Sequence, residues 1–249
     1  MIPNITIRMT YFLHGLMSHI RVQGNRTFSK LLQAVSVPLM GHYQGTYVVG
    51  NASLNDFTRD AMESIDGDNC DLLVGSSLGG KIVLDMAEQK YVSPDVPLVL
   101  LDIAPQRYSS QSLLNICDFM DAHPVSKFED KAAAHAEALC HLPTVEQATL
   151  LSDNWSYDGW LTQHEWLADN LRTLSRRPKL SKICNPTLII WGNQSAYAEA
   201  SPKNKYADLF TDLRTVTVEG SHYPHHTNPM NVRQFIDDWM SSIGRARRG

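Results

Sequence analysis

The sequence predicts an α/β fold, in which a mostly parallel central sheet carries helices on both faces and a helical segment is inserted between two strands. Short apolar runs recur along the chain, for example at residues 96–101 and 186–191, and such unbroken hydrophobicity is typical of parallel strands covered on both faces. Segments with apolar residues at helical spacing separate these runs, which indicates alternating strands and helices. In residues 106–182 the helical spacing continues without a strand, and Gly159 is the only glycine, so we expect a wholly helical insertion there.

This pattern divides the chain into an α/β core of residues 1–105 and 183–249 and an inserted segment of residues 106–182. A chain of 249 residues with 43% apolar side chains suits one such domain. Insertions at the carboxyl edge of a parallel sheet often cover a binding site, so we interpret the helical segment as a lid.

Individual elements follow from apolar runs, helical periodicity and capping residues. Ser53 or Asn55 is a suitable N-cap for a helix that begins beside it. The predicted strands are residues 9–13, 45–50, 71–74, 96–101, 186–191 and 214–218. The predicted helices outside the inserted segment are residues 27–35, 53 to about 65, 81–89 and 231–243.

Composition and charge exclude several classes of function. The formal net charge is −4, so the chain lacks the basic field of a general nucleic-acid binder. No apolar run approaches the roughly 18 residues that would span a bilayer, and the first residues are too polar for a signal peptide. We therefore expect a cytoplasmic monomer or small homo-oligomer that acts on a small molecule. The cysteines are scattered without a C-x-x-C pair, which predicts reduced thiols and no zinc site: Cys70, Cys117, Cys140 and Cys184.

Gly75, Ser77 and Gly79 form a G-x-S-x-G pattern between a predicted strand and a predicted helix. In a nucleophile elbow this pattern marks a tight turn that exposes the serine hydroxyl, and the glycines are needed because a Cβ would clash in the crowded backbone. Only Ser77, and not Ser76, has glycine two residues before and two residues after it. The pattern alone also occurs in ordinary glycine-serine turns, so its interpretation depends on partners elsewhere in the chain.

An acid and three histidines at the ends of later strands are candidate partners for Ser77. Asp102 directly follows the strand at 96–101, where the alternative interpretation is a turn or capping aspartate. His222, His225 and His226 follow the last predicted strand, and His222 is the nearest to it. The order serine, acid, histidine is the one expected for an α/β-hydrolase, which favours His222 as the base.

Two backbone amides are candidates for an oxyanion hole. Gly15 allows a sharp turn after the first strand, so the amide of Leu16 can point toward the carboxyl edge of the sheet. The amide of Leu78 directly follows the nucleophile and can pair with it.

The lining of the substrate site is predicted from the same turn and from the inserted segment. We expect His14, Gly15, Trp155 and Trp160 to contribute to it. The alternatives are that His14 is structural and that the tryptophans of the insertion, Trp166 included, form the interior of the lid.

With these motifs in place, the chain resembles the YbfF-type esterases and their eukaryotic relatives, a short-acyl esterase and thioesterase branch of the α/β-hydrolase superfamily. Two of the matching segments, Asp102-Ile-Ala-Pro and the Ser-x-Tyr turn that begins at Ser195, are the most discriminating. The chain departs from the family at Ser76, where a histidine is usual, and in residues 37–51, which do not match its loop. The matching segments are residues 14–17, 75–81, 101–108, 158–160, 192–197 and 220–222.

The resemblance implies a particular placement of the acid. Many α/β-hydrolases carry it in a G-x-x-D turn after the penultimate strand, but here that turn is Gly192-Asn-Gln-Ser195. The resemblance implies that Asp102 is the acid and that Ser195 fills the vacated position, with a hydrogen bond near His222 or Asp102.

The expected activity is hydrolysis of carboxylic esters or acyl thioesters through an acyl-serine, without a metal or an organic cofactor. Two alternatives stay open at this point. The same fold can support lyase, cyclase or acyl-transfer chemistry, and the missing acid in the Gly192 turn could mark a non-catalytic ligand-binding protein.

Overall fold

A computed structural model describes residues 9–42, 50–195 and 206–246. In this part of the chain, six strands form one sheet in the order β2-β1-β3-β4-β5-β6, and every neighbouring pair is parallel. The strands are Met9–Leu13 (β1), Val35–Val37 (β2), Cys70–Ser76 (β3), Leu98–Leu101 (β4), Thr187–Gly192 (β5) and Leu213–Val218 (β6). The helices are Gln23–Leu32 (α1), Leu54–Met62 (α2), Leu78–Glu88 (α3), Gln111–Ala122 (α4), Lys131–His141 (α5), Val145–Asp153 (α6), His164–Leu174 (α7), Pro224–Thr227 (α8) and Pro229–Ala246 (α9).

The predicted parallel sheet is confirmed, and both of its faces are buried. On one face, Leu100 of β4 belongs to the same apolar cluster as Ile82 of α3. On the other face, Val99 of β4 clusters with Phe28 of α1 and Trp239 of α9. Burial on both faces explains the continuous hydrophobicity of the strands, since neither side of β4 meets water.

The first αβ unit differs from its prediction. The helix predicted at 27–35 is α1, which ends at Leu32, and Val35 begins the short strand β2 beside Tyr11. Gln33 ends α1 by adopting a left-handed backbone conformation with φ 53°, and its N–H caps the helix. The strand predicted at 45–50 lies outside the described residues except for Gly50. At the next helix, Ser53 is the N-cap, and it forms a capping box with Asp56.

The inserted segment is helical as predicted, with α4, α5, α6 and α7 between β4 and β5. Two asparagine side chains hydrogen-bond it to core backbone. Asn154 Nδ2 donates to Met17 O at 2.5 Å, and Asn170 Oδ1 accepts from Ala52 N at 2.7 Å. The segment therefore rests on the loops at the carboxyl edge of the sheet. The boundaries 1–105, 106–182 and 183–249, and the role of the segment as a lid, stay predictions.

Every helix in the described part of the chain is too short or too polar to cross a bilayer.

Candidate active site

Ser77 occupies a strained turn between β3 and α3. Its backbone has φ 51° and ψ −115°, a conformation that is costly for a residue with a side chain. The flanking glycines make the turn possible. A Cβ on Gly75 would lie 2.5 Å from the Gly79 backbone, and a Cβ on Gly79 would lie 2.3 Å from Leu13 O. The G-x-S-x-G pattern therefore has the strand-turn-helix context that a nucleophile elbow requires.

Asp102 lies at the end of β4 and is completely buried. Its carboxylate accepts three hydrogen bonds: from Gly192 N to Oδ1 at 2.9 Å, from Ser195 Oγ to Oδ2 at 2.5 Å, and from His222 Nδ1 to Oδ2 at 2.7 Å. A buried carboxylate needs such donors to offset its loss of water. The partners come from β5, the turn after it and the loop after β6, so adjacent strands meet at this side chain.

His222 is the candidate base that contacts Asp102. Because a carboxylate only accepts, His222 Nδ1 carries the proton that it donates to Asp102, and Nε2 keeps a lone pair. The backbone N–H of His222 donates to Glu146 Oε1 of α6 at 3.1 Å, so the inserted segment also holds this loop.

The rings of His225 and His226 hydrogen-bond to Asn25 rather than to Asp102. Both rings place Nε2 near Asn25 Oδ1, at 3.2 Å and 2.9 Å. Burial lowers the pKa of His225 well below its ordinary value of 6.5, and burial lowers the pKa of His226 to about 4. These two rings are neutral members of a buried network that connects α1 with α8.

Gly15 is the point where the first strand, the elbow and the His222 loop meet. A Cβ on Gly15 would lie 3.2 Å from Ser77 Cβ and 3.5 Å from Tyr223 Cε1. Ser77 and the residue after His222 therefore flank the same glycine. A larger residue at Gly15 would press on both sides of the candidate site.

A small cavity of 40 Å³ opens beside Ser77. Leu16 and Leu78, whose amides are the predicted oxyanion donors, are in its wall. Leu78 is the first residue of α3, so its N–H is one of those without an acceptor inside the helix. Residues of the inserted segment close the cavity, among them Leu113 of α4 and Leu174 of α7. The role of the two amides as oxyanion donors stays a prediction.

The predicted substrate-lining residues have different surroundings. His14 is buried, and burial together with the neighbouring His42 lowers its pKa well below 6.5. The Trp160 indole N–H donates to Met120 O at 3.3 Å, and Trp155 packs against the exposed ring of Tyr157. None of His14, Trp155 and Trp160 lines the 40 Å³ cavity, and their contact with a substrate stays a prediction.

Lys81 is a site residue that the sequence did not indicate. It lies one turn after Ser77 in α3 and lines the same cavity, with 3% of its surface exposed. Its Nζ donates to Leu174 O at 2.9 Å and to Arg176 O at 3.0 Å, and burial lowers its pKa to about 8. A lysine among glycine and apolar residues at the start of α3 was the available signal.

A larger cavity of 1060 Å³ lies at the opposite edge of the sheet, against Cys70, Val96 and Asn185. It contains none of the Ser77, Asp102 and His222 set, so its size does not make it the candidate active site.

Comparison with known proteins places this geometry in a familiar fold. No family model and no curated protein matches the sequence. Among solved structures, a marine microorganism esterase superposes with a TM-score of 0.77 at 19% identity, over 93% of this chain and 94% of that chain. E-2-(acetamidomethylene)succinate hydrolase superposes with a TM-score of 0.71 at 22% identity, over 94% of this chain and 91% of that chain. The thioesterase domain from the curacin biosynthetic pathway gives a TM-score of 0.60 at 16% identity, over 92% and 90% of the two chains. The chain has the α/β-hydrolase fold.

Proposed function

We propose that this protein is a serine hydrolase that cleaves carboxylic esters or acyl thioesters. The observation that carries the proposal is the buried hydrogen bond between Asp102 Oδ2 and His222 Nδ1, at the sheet edge where Ser77 occupies a nucleophile elbow. The similar solved structures named as esterases, a hydrolase and a thioesterase domain support this class of reaction. Fold alone does not determine chemistry, and the arrangement of Ser77, Asp102 and His222 is what favours hydrolysis.

The proposed reaction begins with attack of Ser77 Oγ on the substrate carbonyl carbon. His222 Nε2 takes the hydroxyl proton, because a serine hydroxyl is a poor nucleophile at neutral pH. Asp102 orients the ring and stabilises the imidazolium that forms. The amides of Leu16 and Leu78 would bind the tetrahedral oxyanion, and one such donor is typically worth about 3 kcal/mol of barrier.

Collapse of the tetrahedral intermediate breaks the bond to the leaving alcohol or thiol, which receives the proton from His222. The acyl group remains on Ser77 as an ester. His222 then removes a proton from water, the hydroxide equivalent attacks the acyl carbon, and the carboxylic acid leaves while Ser77 regains its proton. None of these steps requires a metal or an organic cofactor.

The 40 Å³ cavity beside Ser77 supports a short acyl group as the preferred substrate. The volume is only slightly larger than the roughly 30 Å³ that one water molecule occupies, and the walls contributed by Leu113 and Leu174 are apolar. A long chain would require α4 or α7 to move.

Labelling with a fluorophosphonate probe tests the nucleophile. We expect the wild-type protein to be labelled once and Ser77→Ala to be unlabelled, with Ser76→Ala as the matched control that keeps its label. Equal labelling of Ser77→Ala and wild type would refute the assignment.

A panel of p-nitrophenyl esters and acyl thioesters of two to twelve carbons then tests the substrate class. We expect kcat/KM to fall beyond short chains. Labelling of Ser77 without turnover of any ester or thioester would instead indicate acyl transfer or ligand binding.

A further inference from the structure

Two histidines and a glutamate converge on the inserted segment, away from the candidate active site. His123 directly follows α4, and Glu137 and His141 lie one turn apart in α5, so they share a face of that helix. The atoms of the three side chains that could ligate a metal ion, one from each residue, all lie within 4.8 Å of one another. None of the three lines the cavity beside Ser77.

Both imidazoles are held in the tautomer that a metal ligand needs. His123 Nδ1 lies 2.9 Å from Phe119 O, and His141 Nδ1 lies 3.0 Å from Glu137 O. A carbonyl oxygen only accepts, so each Nδ1 carries the proton and each Nε2 keeps a lone pair. Ligating histidines in metal sites commonly donate their other ring N–H to a backbone carbonyl in this way.

Phe119 fixes the planes of the two rings. It stacks on His123 with centroids 4.1 Å apart and planes 14° apart, and it meets the edge of His141 at 5.7 Å. The side chains of Glu137 and His141 are 45% and 49% exposed, so an ion could enter from solvent. The cluster therefore combines restrained imidazoles with an open side.

We propose that His123, Glu137 and His141 form a binding site for a divalent transition-metal ion, with Zn²⁺ as the best fit. Two imidazole nitrogens, one carboxylate oxygen and one water complete a tetrahedral shell. Ligands about 2.1 Å from a tetrahedral ion lie about 3.4 Å apart, so no pair of ligand atoms would have to close by more than about 1.4 Å.

The ion would join the end of α4 to α5. Because Leu113 of α4 lines the cavity beside Ser77, this connection would stabilise a wall of the candidate active site without taking part in the reaction.

Two neighbouring arrangements must be distinguished from the proposed metal site. One is an ion pair within it, and the other is a second cluster that could bind the ion instead. Glu137 Oε1 lies 3.6 Å from His141 Nδ1, which would be an ordinary helical ion pair when the histidine is protonated. A second cluster contains Asp121, His164 and Glu165, but there His164 Nε2 already lies 3.0 Å from Asp121 Oδ1. His164→Ala therefore tests whether any zinc bound belongs to that cluster instead.

Isothermal titration of the full-length, chelator-treated protein with zinc chloride tests the site. We expect one zinc ion per chain in wild type, and binding at least tenfold weaker in His123→Ala, His141→Ala and Glu137→Gln. Loss of even a group that orients a ligand commonly costs about 10–100-fold, so loss of a ligand should cost at least as much. His164→Ala, and His135→Ala on the same helix, should bind zinc as wild type does.

Titration with Co²⁺ gives an independent readout, since a tetrahedral site produces an intense visible absorption band that surface adsorption lacks. Circular dichroism of each variant checks that α4 and α5 remain folded. The absence of stoichiometric zinc binding, or zinc binding that survives both histidine substitutions, would overturn the proposal. Binding that is lost only in His164→Ala would assign the ion to the second cluster and overturn it equally.

Discussion

The buried cluster around Asp102 and the inserted helical segment are held in place by different contacts. Asp102, Ser195 and His222 are buried at the carboxyl edge of the sheet, where their positions depend on parallel strands and on three hydrogen bonds to one carboxylate. The inserted segment instead exposes large apolar side chains such as Val145 and Tyr157, and it joins the core through apolar packing and side-chain-to-backbone hydrogen bonds.

The two regions are therefore suited to different roles in the proposed reaction. The sheet edge fits a fixed chemical role, because a shift of its side chains would break buried hydrogen bonds. The inserted segment contributes Leu113 and Leu174 to the cavity beside Ser77, so it is suited to set substrate preference. We therefore expect substitutions of Asp102 or Ser195 to lower kcat. Substitutions where the inserted segment meets the core should change stability and the preference for acyl chain length.

The largest effect should come from Ser77→Ala, which removes the proposed nucleophile. We expect kcat for a short-chain ester to fall by about 10⁴- to 10⁶-fold, since loss of a catalytic serine leaves only the oxyanion site and binding. Steady-state assays against Ser76→Ala as the control measure the change. A loss below tenfold would mean that Ser77 is not the nucleophile.

Asp102→Asn should have the next largest effect. The imidazolium loses its counter-charge and the ring can adopt the wrong tautomer, so we expect kcat to fall by about 10⁴-fold. Asp118→Asn, at an exposed position on α4, is the matched control. Unchanged KM and unchanged far-UV circular dichroism would show that the fold survives.

Ser195→Ala should cost much less. It removes one of three donors to Asp102 but leaves the carboxylate in contact with His222. A hydrogen bond to a charged group is worth about 1.5–3 kcal/mol, so we expect kcat to fall by roughly 10- to 100-fold. The same ester assay measures it, and a loss as large as that of Asp102→Asn would assign Ser195 a direct chemical role.

Lys81→Met tests the contact between α3 and the inserted segment, where Lys81 Nζ donates to Leu174 O and Arg176 O. Burial lowers the pKa of Lys81 to about 8 from 10.5, so the folded state disfavours the charged form. Between about pH 8 and 10.5 the unfolded chain binds a proton that the folded chain does not, and this group makes stability rise with pH. Below pH 8 both states hold the proton and the contribution is constant.

Urea unfolding of wild type and Lys81→Met at several pH values measures this contribution. Between about pH 8 and 10.5, the free energy of unfolding of wild type should rise relative to that of the variant by up to about 1.4 kcal/mol per pH unit. Lys30→Met, at an exposed position of α1, should follow wild type. A wild-type curve parallel to that of Lys81→Met would show that Lys81 ionises normally. In ester assays, we expect Lys81→Met to accept longer chains, because it loses its hydrogen bonds to the end of α7.

Much of the sheet edge was predictable because its determinants are local. Gly75 and Gly79 mark the elbow, and a charged residue such as Asp102 directly after a continuously apolar strand marks the carboxyl edge. The geometry around His222, the one of three nearby histidines that hydrogen-bonds Asp102, agrees with the serine, acid, histidine order.

Other features depend on contacts distant in sequence. β2 is three residues long, and Val35 fits the apolar face of the preceding helix, so periodicity assigned it to the wrong element. Lys81 acquires its role from the carbonyls of Leu174 and Arg176, more than ninety residues away. No local pattern around Lys81 encodes those partners. Whether Trp155 and Trp160 meet a substrate depends likewise on the packing of the inserted segment.

The most direct test of the central claim is kcat/KM of Asp102→Asn and Ser195→Ala, measured side by side on one short-chain ester at equal concentrations of folded protein. The proposed triad predicts that Asp102→Asn loses at least about a hundredfold more activity than Ser195→Ala, because only Asp102 supplies the counter-charge to His222. Equal losses, or a larger loss in Ser195→Ala, would contradict the assignment of Asp102 as the acid.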